Sequence, residues 1–130
     1  LAESEKQSPE RKLKNQLLSI QYLMQDYIEQ ERIEREMRIL DFVKLFLTLL
    51  KISQKDLATY FEMKDSNLYK YLTGERKLNP DIVLKLSYFL NTPPEIWYRI
   101  QIKNELDELR KEKTKFEKYK KYDYKKLISG

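Results

Sequence analysis

The sequence predicts an all-α protein. Helix-forming residues dominate from Pro9 onward, neither glycine nor proline occurs between Pro9 and Gly74, and no segment alternates apolar and polar residues as a strand does. We expect five short helices between about residues 37 and 110. A long helix should precede them and a basic helical tail should follow, which divides the chain into residues 1–36, 37–110 and 111–130.

The composition excludes many kinds of chemistry. The 130 residues include neither cysteine nor histidine, so disulfides, thiolate nucleophiles, Cys/His zinc sites and histidine proton relays are absent. Two glycines, Gly74 and Gly130, are too few for a phosphate-binding loop. A carboxylate-based enzyme would need a pair of acids that the sequence does not suggest. We therefore expect no enzymatic activity, no cofactor and no metal.

Hydropathy and charge indicate the kind of partner. The longest apolar run, Leu45 to Leu50, is interrupted by Thr48 and is shorter than the ~20 residues that cross a bilayer. Residues 1–12 are charged and lack a secretory core, so a soluble cytoplasmic protein without a membrane partner is expected. The net charge of +5 divides into −1 over residues 1–40, +2 over 41–100 and +4 over 101–130. This basic C-terminal excess suits a polyanion.

The long N-terminal helix should begin at Pro9, because Ser8 provides a cap and Glu10 an acid in the first turn. Its apolar residues step by four and three, at Leu13, Leu17, Ile20, Met24 and Tyr27. This seam packs on the helix's own domain, forms a dimer seam, or binds a partner such as a toxin. The mostly charged segment from Glu29 to Arg38 predicts a break.

Residues 37–110 begin with two helix patterns. Apolar residues cover more than half of a helix surface from Met37 to Leu50, which predicts a core helix. Ser53, followed three residues later by Asp56, has the spacing of a capping box, so a second helix should begin there.

Two further helix starts follow. Asn79 precedes Pro80 and an acid, the usual order of a cap and a first helical turn. Thr92 should cap the last core helix by the capping-box rule, with Glu95 as the acid. The apolar residues of that helix are Ile96, Trp97, Ile100, Ile102, Leu106 and Leu109.

Between Ser53 and Gly74, two short amphipathic patterns meet. Two helices joined by about three residues at a large angle form a helix-turn-helix. Ala58 provides a small residue where the helices cross, and Met63 provides an apolar residue for the turn. The second helix is anchored by Leu68, Tyr71 and Leu72, which leaves free a face made of Lys64, Asp65, Ser66, Asn67, Tyr69, Lys70 and Thr73.

This free face is suited to the major groove of double-stranded DNA, because it offers short polar groups and a lysine to base edges. Lys70 can donate to guanine, Asn67 can pair with adenine, and Ser66 can bond to either. Asp65 either accepts from cytosine or caps the helix, and the second role is the one we expect. Phosphate contacts are predicted for Gln54, Thr73, Arg76 and Lys77.

The segment from about Leu47 to Leu109 resembles the Xre/Cro-type helix-turn-helix domain, as in lambda repressor, and in particular its HigA-like antitoxin branch. The resemblance rests on the run SQKDLATYFEMKDSNLYKYLTGERKLNPDIVLKLSYFLNTPPEIWYRIQ. It implies that Asp65, Ser66 and Lys70 face bases. It also implies that Gln54 and Thr73 contact phosphates. It also implies a homodimer through the last core helices, an inverted-repeat operator, repression of its own operon and a toxin partner.

Two residues depart from the family pattern. Glu62 stands where glycine is usual in the turn, which requires a left-handed or distorted backbone and adds negative charge beside the DNA. Asp65 is acidic where a neutral or basic residue is more usual. The leading interpretation is a sequence-specific transcriptional regulator. The alternative is a protein-interaction module of the same fold that has lost operator recognition.

The C-terminal tail, RKEKTKFEKYKKYDYKKL, interleaves lysines with aromatic residues at Phe116, Tyr119, Tyr122 and Tyr124. A basic and aromatic mixture can grip a nucleic-acid backbone or stack on bases. Alternatively, the rings pack along the N-terminal helix while the lysines face water, and this is the arrangement we expect.

Overall fold

The computed structural model describes residues 8–129, which contain α-helices, one 3₁₀ helix and no strand. The elements are α1 (Pro9–Glu29), α2 (Ile39–Leu50), α3 (Gln54–Tyr60), α4 (Asp65–Thr73), α5 (Pro80–Leu90), α6 (Pro94–Lys111), α7 (Lys113–Glu117), the 3₁₀ helix (Lys118–Tyr122) and α8 (Tyr124–Ser129). The all-α prediction is confirmed. Eight α-helices are present in this part of the chain, and five of them, α2 to α6, lie where five were predicted. None of the described helices is both long and apolar enough to span a bilayer.

Most helix starts follow the predicted caps. The Ser8 hydroxyl accepts a hydrogen bond from the Arg11 N–H at 3.2 Å, and the Asn79 side chain accepts one from the Ile82 N–H at 3.0 Å. Helix α2 begins two residues later than the pattern predicts, at Ile39. Arg38 is extended there, and its N–H donates to the Asp41 carboxylate at 2.8 Å.

Thr92 does not cap α6, and that prediction is wrong. The cap residue is Pro93, which has no side chain able to accept a hydrogen bond. Thr92 is instead buried, and its hydroxyl accepts from the indole N–H of Trp97 at 2.9 Å. Because the fully buried indole needs a partner for its only donor, tertiary packing decides the orientation of Thr92.

The predicted seam of α1 packs on the protein itself. Ile20, Met24 and Tyr27 are buried in the same hydrophobic core as α2 and α6, while Leu13 and Leu17 are half-buried. This is the first of the three alternatives for the seam. Its buried residues are therefore not a free surface for a second chain or a toxin.

Tyr27 links α1 to the segment before α2 and to α6. Its hydroxyl donates to the Asn104 side-chain oxygen at 2.6 Å and accepts from the Met37 N–H at 3.1 Å. The Asn104 amide in turn donates to the Met37 carbonyl at 2.9 Å. Burial raises the pKa of the Tyr27 phenol, so the hydroxyl stays protonated as a donor at neutral pH.

Helix α6 is buried only along its first half. Ile96, Trp97 and Ile100 are in the core as predicted. The remaining apolar residues of the helix are not, since Ile102 is 51% exposed, Leu106 39% and Leu109 37%. The prediction that they belong to the core is wrong for the single chain, because α1 and α5 cover α6 on other faces.

The tail does not pack along α1 in the way we expected. Phe116, Tyr119, Tyr122 and Tyr124 are all exposed, and their ring contacts stay within the tail or at its junction with α6. The physical reason is that α2 and α6 already cover the apolar face of α1.

We predict that Tyr27→Phe lowers the free energy of unfolding by about 1–3 kcal/mol, because it leaves the Asn104 oxygen and the Met37 N–H without their partner. Urea denaturation measures the change. Tyr22→Phe is the matched control, because Tyr22 lies on the same helix and is 61% exposed. A loss from Tyr27→Phe no larger than that of the control would contradict the assigned role.

Candidate nucleic-acid interface

The turn between α3 and α4 is built by Glu62 in a left-handed conformation, with φ of 58°. The Glu62 N–H donates to the Thr59 carbonyl and the Met63 N–H to the Ala58 carbonyl, both at 3.0 Å. This pair of bonds is the Schellman motif, which usually has glycine at the left-handed position. The chain therefore bends sharply after α3 without a glycine, and the predicted backbone of Glu62 is confirmed.

The crossing of α3 and α4 is closely packed. Ala58 and Phe61 are buried on the α3 side, and Leu68 and Leu72 are fully buried on the α4 side. Met63 is half-buried against the same core. Ala58, Met63, Leu68 and Leu72 thus occupy the positions that the sequence predicted for the crossing and for the turn.

Lys85 supports the turn from α5, and the sequence analysis did not find this residue. Its ammonium group donates to the Phe61 carbonyl at 2.9 Å and pairs with Asp81 at 3.0 Å. The Phe61 carbonyl is one of the groups at the end of α3 that lack a partner within the helix. The spacing of Asp81 and Lys85 predicts a surface pair on one helix, but it contains no signal for a contact with α3.

Asp65 does not cap α4, contrary to the role we expected. The cap residue is Lys64, which makes no side-chain cap, and Asp65 is the first helical residue. The Asp65 carboxylate instead accepts a hydrogen bond from the Gln54 side-chain amide at 2.7 Å. This bond ties the start of α3 to the start of α4. Gln54 retains one amide hydrogen for another acceptor, since a side-chain amide carries two.

The outer face of α4 is centred on Ser66, Lys70 and Thr73. Their spacing places them on one side of the helix, opposite the buried residues Leu68 and Leu72. Ser66 is exposed, while Lys70 and Thr73 are half-buried. The flanking residues of this face are Lys64 and Tyr69, which are exposed, and Asn67, which is half-buried.

Helix α4 ends at Gly74, whose φ of 86° is the left-handed conformation that glycine commonly adopts at a helix C-terminus. The chain then returns along the helix end, and the Arg76 N–H donates to the Lys70 carbonyl at 3.0 Å. The Arg76 guanidinium lies 5.3 Å from the centre of the Tyr71 ring. This stacking holds an exposed cation beside the end of α4.

Lys77 follows on the same surface. Its ammonium group lies 3.9 Å from the Glu105 carboxylate, and its side chain is 80% exposed. The exposed pair contributes little to stability, so the lysine can exchange this partner for another anion.

The interface has only a small excess of positive charge. Four basic residues and three acidic residues lie between positions 62 and 77. At the start of α3, the Ser53 N–H lowers the pKa of the Asp56 carboxyl, which therefore stays ionised at neutral pH and adds a further negative charge. Over residues 8–129 there is no group of three or more acidic side chains able to hold a metal ion.

Comparison with known proteins agrees with this geometry. Residues 43–97 match the family model described as Helix-turn-helix. The matched segment contains α3, α4 and α5 together with most of α2. The crossed helices and the match together define a helix-turn-helix domain within the chain.

A relative in Escherichia coli (strain K12), described as "Uncharacterized HTH-type transcriptional regulator YddM", is 30% identical over 61 residues. The aligned part is 47% of this chain and 65% of the relative. The chain thus spans slightly less than two thirds of the curated relative that it matches. No solved structure matches the chain significantly.

We predict that Glu62→Gly raises the free energy of unfolding by about 0.5–1 kcal/mol, because glycine adopts the left-handed conformation without the steric cost that glutamate pays. Urea denaturation measures the change. Glu75→Gly is the matched control, since Glu75 is exposed and does not have positive φ. Glycine there should leave stability unchanged or lower it. Equal effects of the two substitutions would contradict the assigned turn.

Proposed function

We propose that the protein is a DNA-binding transcriptional regulator and that α4 is its recognition helix. The observation that carries this proposal is the pairing of a helix-turn-helix geometry with an α4 face made of short polar side chains and a lysine. A helix of this kind can enter the major groove, where each base pair presents its own pattern of donors and acceptors. The relative described as a transcriptional regulator supports the same function.

The roles proposed for individual residues follow from their places. Ser66, Asn67 and Lys70 would contact base edges, because they lie on the first two turns of α4. Tyr69 borders the same face. The residues proposed to contact phosphates are Gln54, Lys64, Thr73, Arg76 and Lys77, which flank it. Asp65 accepts from Gln54 through one carboxylate oxygen, so its other oxygen would be available to the amino group of a cytosine.

The proposal includes a homodimer formed through α6. Ile102, Leu106 and Leu109 lie at the spacing of one helix face, and all three are exposed in the single chain. An exposed apolar stripe of this kind is typical of an interface between subunits. Two recognition helices about 34 Å apart would then meet an inverted repeat.

The HigA-like role is part of the proposal and is carried by the sequence resemblance. It comprises repression of the protein's own operon and binding of a toxin protein. Because most of the α1 seam is buried, such a partner would bind elsewhere on the surface. Purification together with the product of a directly adjacent gene tests this role.

The second candidate is a protein-interaction module that has lost operator recognition. It is favoured by Glu62 and Asp65, two acidic residues at the start of the proposed recognition surface. Near DNA they would repel phosphates. Selection of bound duplexes from a random-sequence DNA pool separates the two candidates. A regulator should enrich one inverted repeat, and an interaction module should enrich none.

We predict that Lys70→Ala relaxes base preference, with a loss of about 1–3 kcal/mol of discrimination at the contacted position. Arg76→Ala should weaken binding to all sequences alike and reduce the salt slope by about 1. Fluorescence anisotropy with the selected duplex and with single-base variants measures both effects. A uniform loss from Lys70→Ala, without relaxed preference, would assign Lys70 to phosphate.

We predict that Leu106→Glu converts the dimer to a monomer, because it buries a charge in the proposed apolar interface. Sedimentation equilibrium measures the mass. Leu84→Glu is the matched control, since Leu84 is an exposed leucine on α5, with 46% exposure, and lies outside the proposed interface. A dimer that survives Leu106→Glu and dissociates with Leu84→Glu would place the interface on α5.

A further inference from the structure

The C-terminal tail carries most of the excess positive charge of the protein. Residues 1–110 contain eighteen basic and eighteen acidic side chains, whereas residues 111–130 contain eight lysines and three acids. The difference in the tail equals the net charge of +5 of the whole chain. Residues 1–110 together therefore have no net charge, and residues 37–110, which contain the helix-turn-helix domain, have a net charge of only +2 with which to attract a polyanion.

The tail is exposed to solvent along its described length. Every residue from Arg110 to Ser129 is exposed. Two of its lysines pair with acids inside the tail, Lys115 with Glu112 at 2.7 Å and Lys120 with Glu117 at 2.6 Å. Among residues 8–129, no carboxylate pairs with Lys113, Lys125 or Lys126.

Two other lysines of the tail lie beside its aromatic rings. Lys118 lies 5.2 Å from the centre of the Tyr119 ring, and Lys121 lies 5.1 Å from that of Tyr122. Tyr122 is 70% exposed and Tyr124 67%. Cations and accessible rings at close spacing are the chemistry that binds a sugar–phosphate backbone and its unpaired bases.

We propose that residues 111–129 form a second nucleic-acid-binding element, which contacts the phosphate backbone through Lys113, Lys125 and Lys126. The inference extends the proposed function, because it assigns a second contact with the same class of partner. The tail supplies non-specific, salt-dependent attraction, and the nearly neutral α4 surface supplies base contacts.

The shape of the tail favours a nucleic acid over a membrane surface. An interfacial helix needs a continuous apolar face along a helix of substantial length. The tail consists of helical pieces of 5, 5 and 6 residues, and Asp123 separates the last two.

The test uses the full chain and a triple variant in which Lys113, Lys125 and Lys126 are replaced by glutamine. The probe is a mixed-sequence duplex of about 25 base pairs, and binding is measured by anisotropy over a range of salt concentrations. We expect the slope of log affinity against log salt to fall by about 2–3 in the variant, because each phosphate contact contributes about 0.9.

The control is a second triple variant, Lys12, Lys14 and Lys44 to glutamine, which removes the same charge from exposed sites on α1 and α2. It should keep nearly the whole slope. An unchanged slope in the tail variant, or an equal fall in the control, would overturn the proposal. The same titration with one strand of the duplex shows whether the tail binds the phosphates of double-stranded or of single-stranded nucleic acid. Tyr122→Leu should weaken binding to the single strand alone if rings stack on unpaired bases.

Binding to vesicles containing phosphatidylserine tests the alternative that the tail binds a membrane. Loss of vesicle binding in the tail variant, with its DNA slope unchanged, would assign the tail to membranes and overturn the proposal. The outcome is separable from that of the proposed function. If the tail variant loses slope on mixed-sequence DNA while the wild type enriches no sequence, the tail proposal stands and the regulator proposal fails. If the tail variant keeps its slope while the wild type enriches an inverted repeat, the regulator proposal stands and the tail proposal fails.

Discussion

The left-handed turn at Glu62 is the constraint on which the arrangement of α3 and α4 depends. The two backbone hydrogen bonds to the Thr59 and Ala58 carbonyls end α3, and Lys85 donates a hydrogen bond to the Phe61 carbonyl. Only after this turn can α4 cross α3 at the small side chain of Ala58. Because the same crossing buries Leu68 and Leu72, it also determines which face of α4 is left outside. The position of the proposed recognition surface thus depends on one residue in an unfavourable conformation.

Local sequence chemistry was sufficient to predict most of the fold. The ends of helices are determined by short-range capping, so Ser8, Ser53 and Asn79 could be assigned from their neighbours alone. The left-handed conformation of Glu62 followed from the turn that it had to make. The outer face of α4 was predictable for the same reason, since helical periodicity separates it from the buried residues.

Contacts between distant parts of the chain could not be predicted in this way. Thr92 was predicted to cap α6, but its hydroxyl instead accepts from the buried indole of Trp97, a contact between side chains that local sequence does not reveal. The bond between Gln54 and Asp65 joins residues whose relative positions depend on the crossing angle of two helices. The tail was assigned to α1 on composition, yet α2 and α6 already occupy the apolar face of that helix. In each case, the contact depends on which residues of distant segments lie close together in the folded chain, and the local sequence does not contain this information.

The most direct measurement of the central claim is the structure of the protein bound to a duplex selected from random sequence. The account predicts that α4 lies in the major groove with Ser66 and Lys70 within hydrogen-bonding distance of base edges. It also predicts that Arg76 lies beside a phosphate. A complex in which the outer face of α4 points away from the DNA, or is covered by another protein chain, would contradict the account.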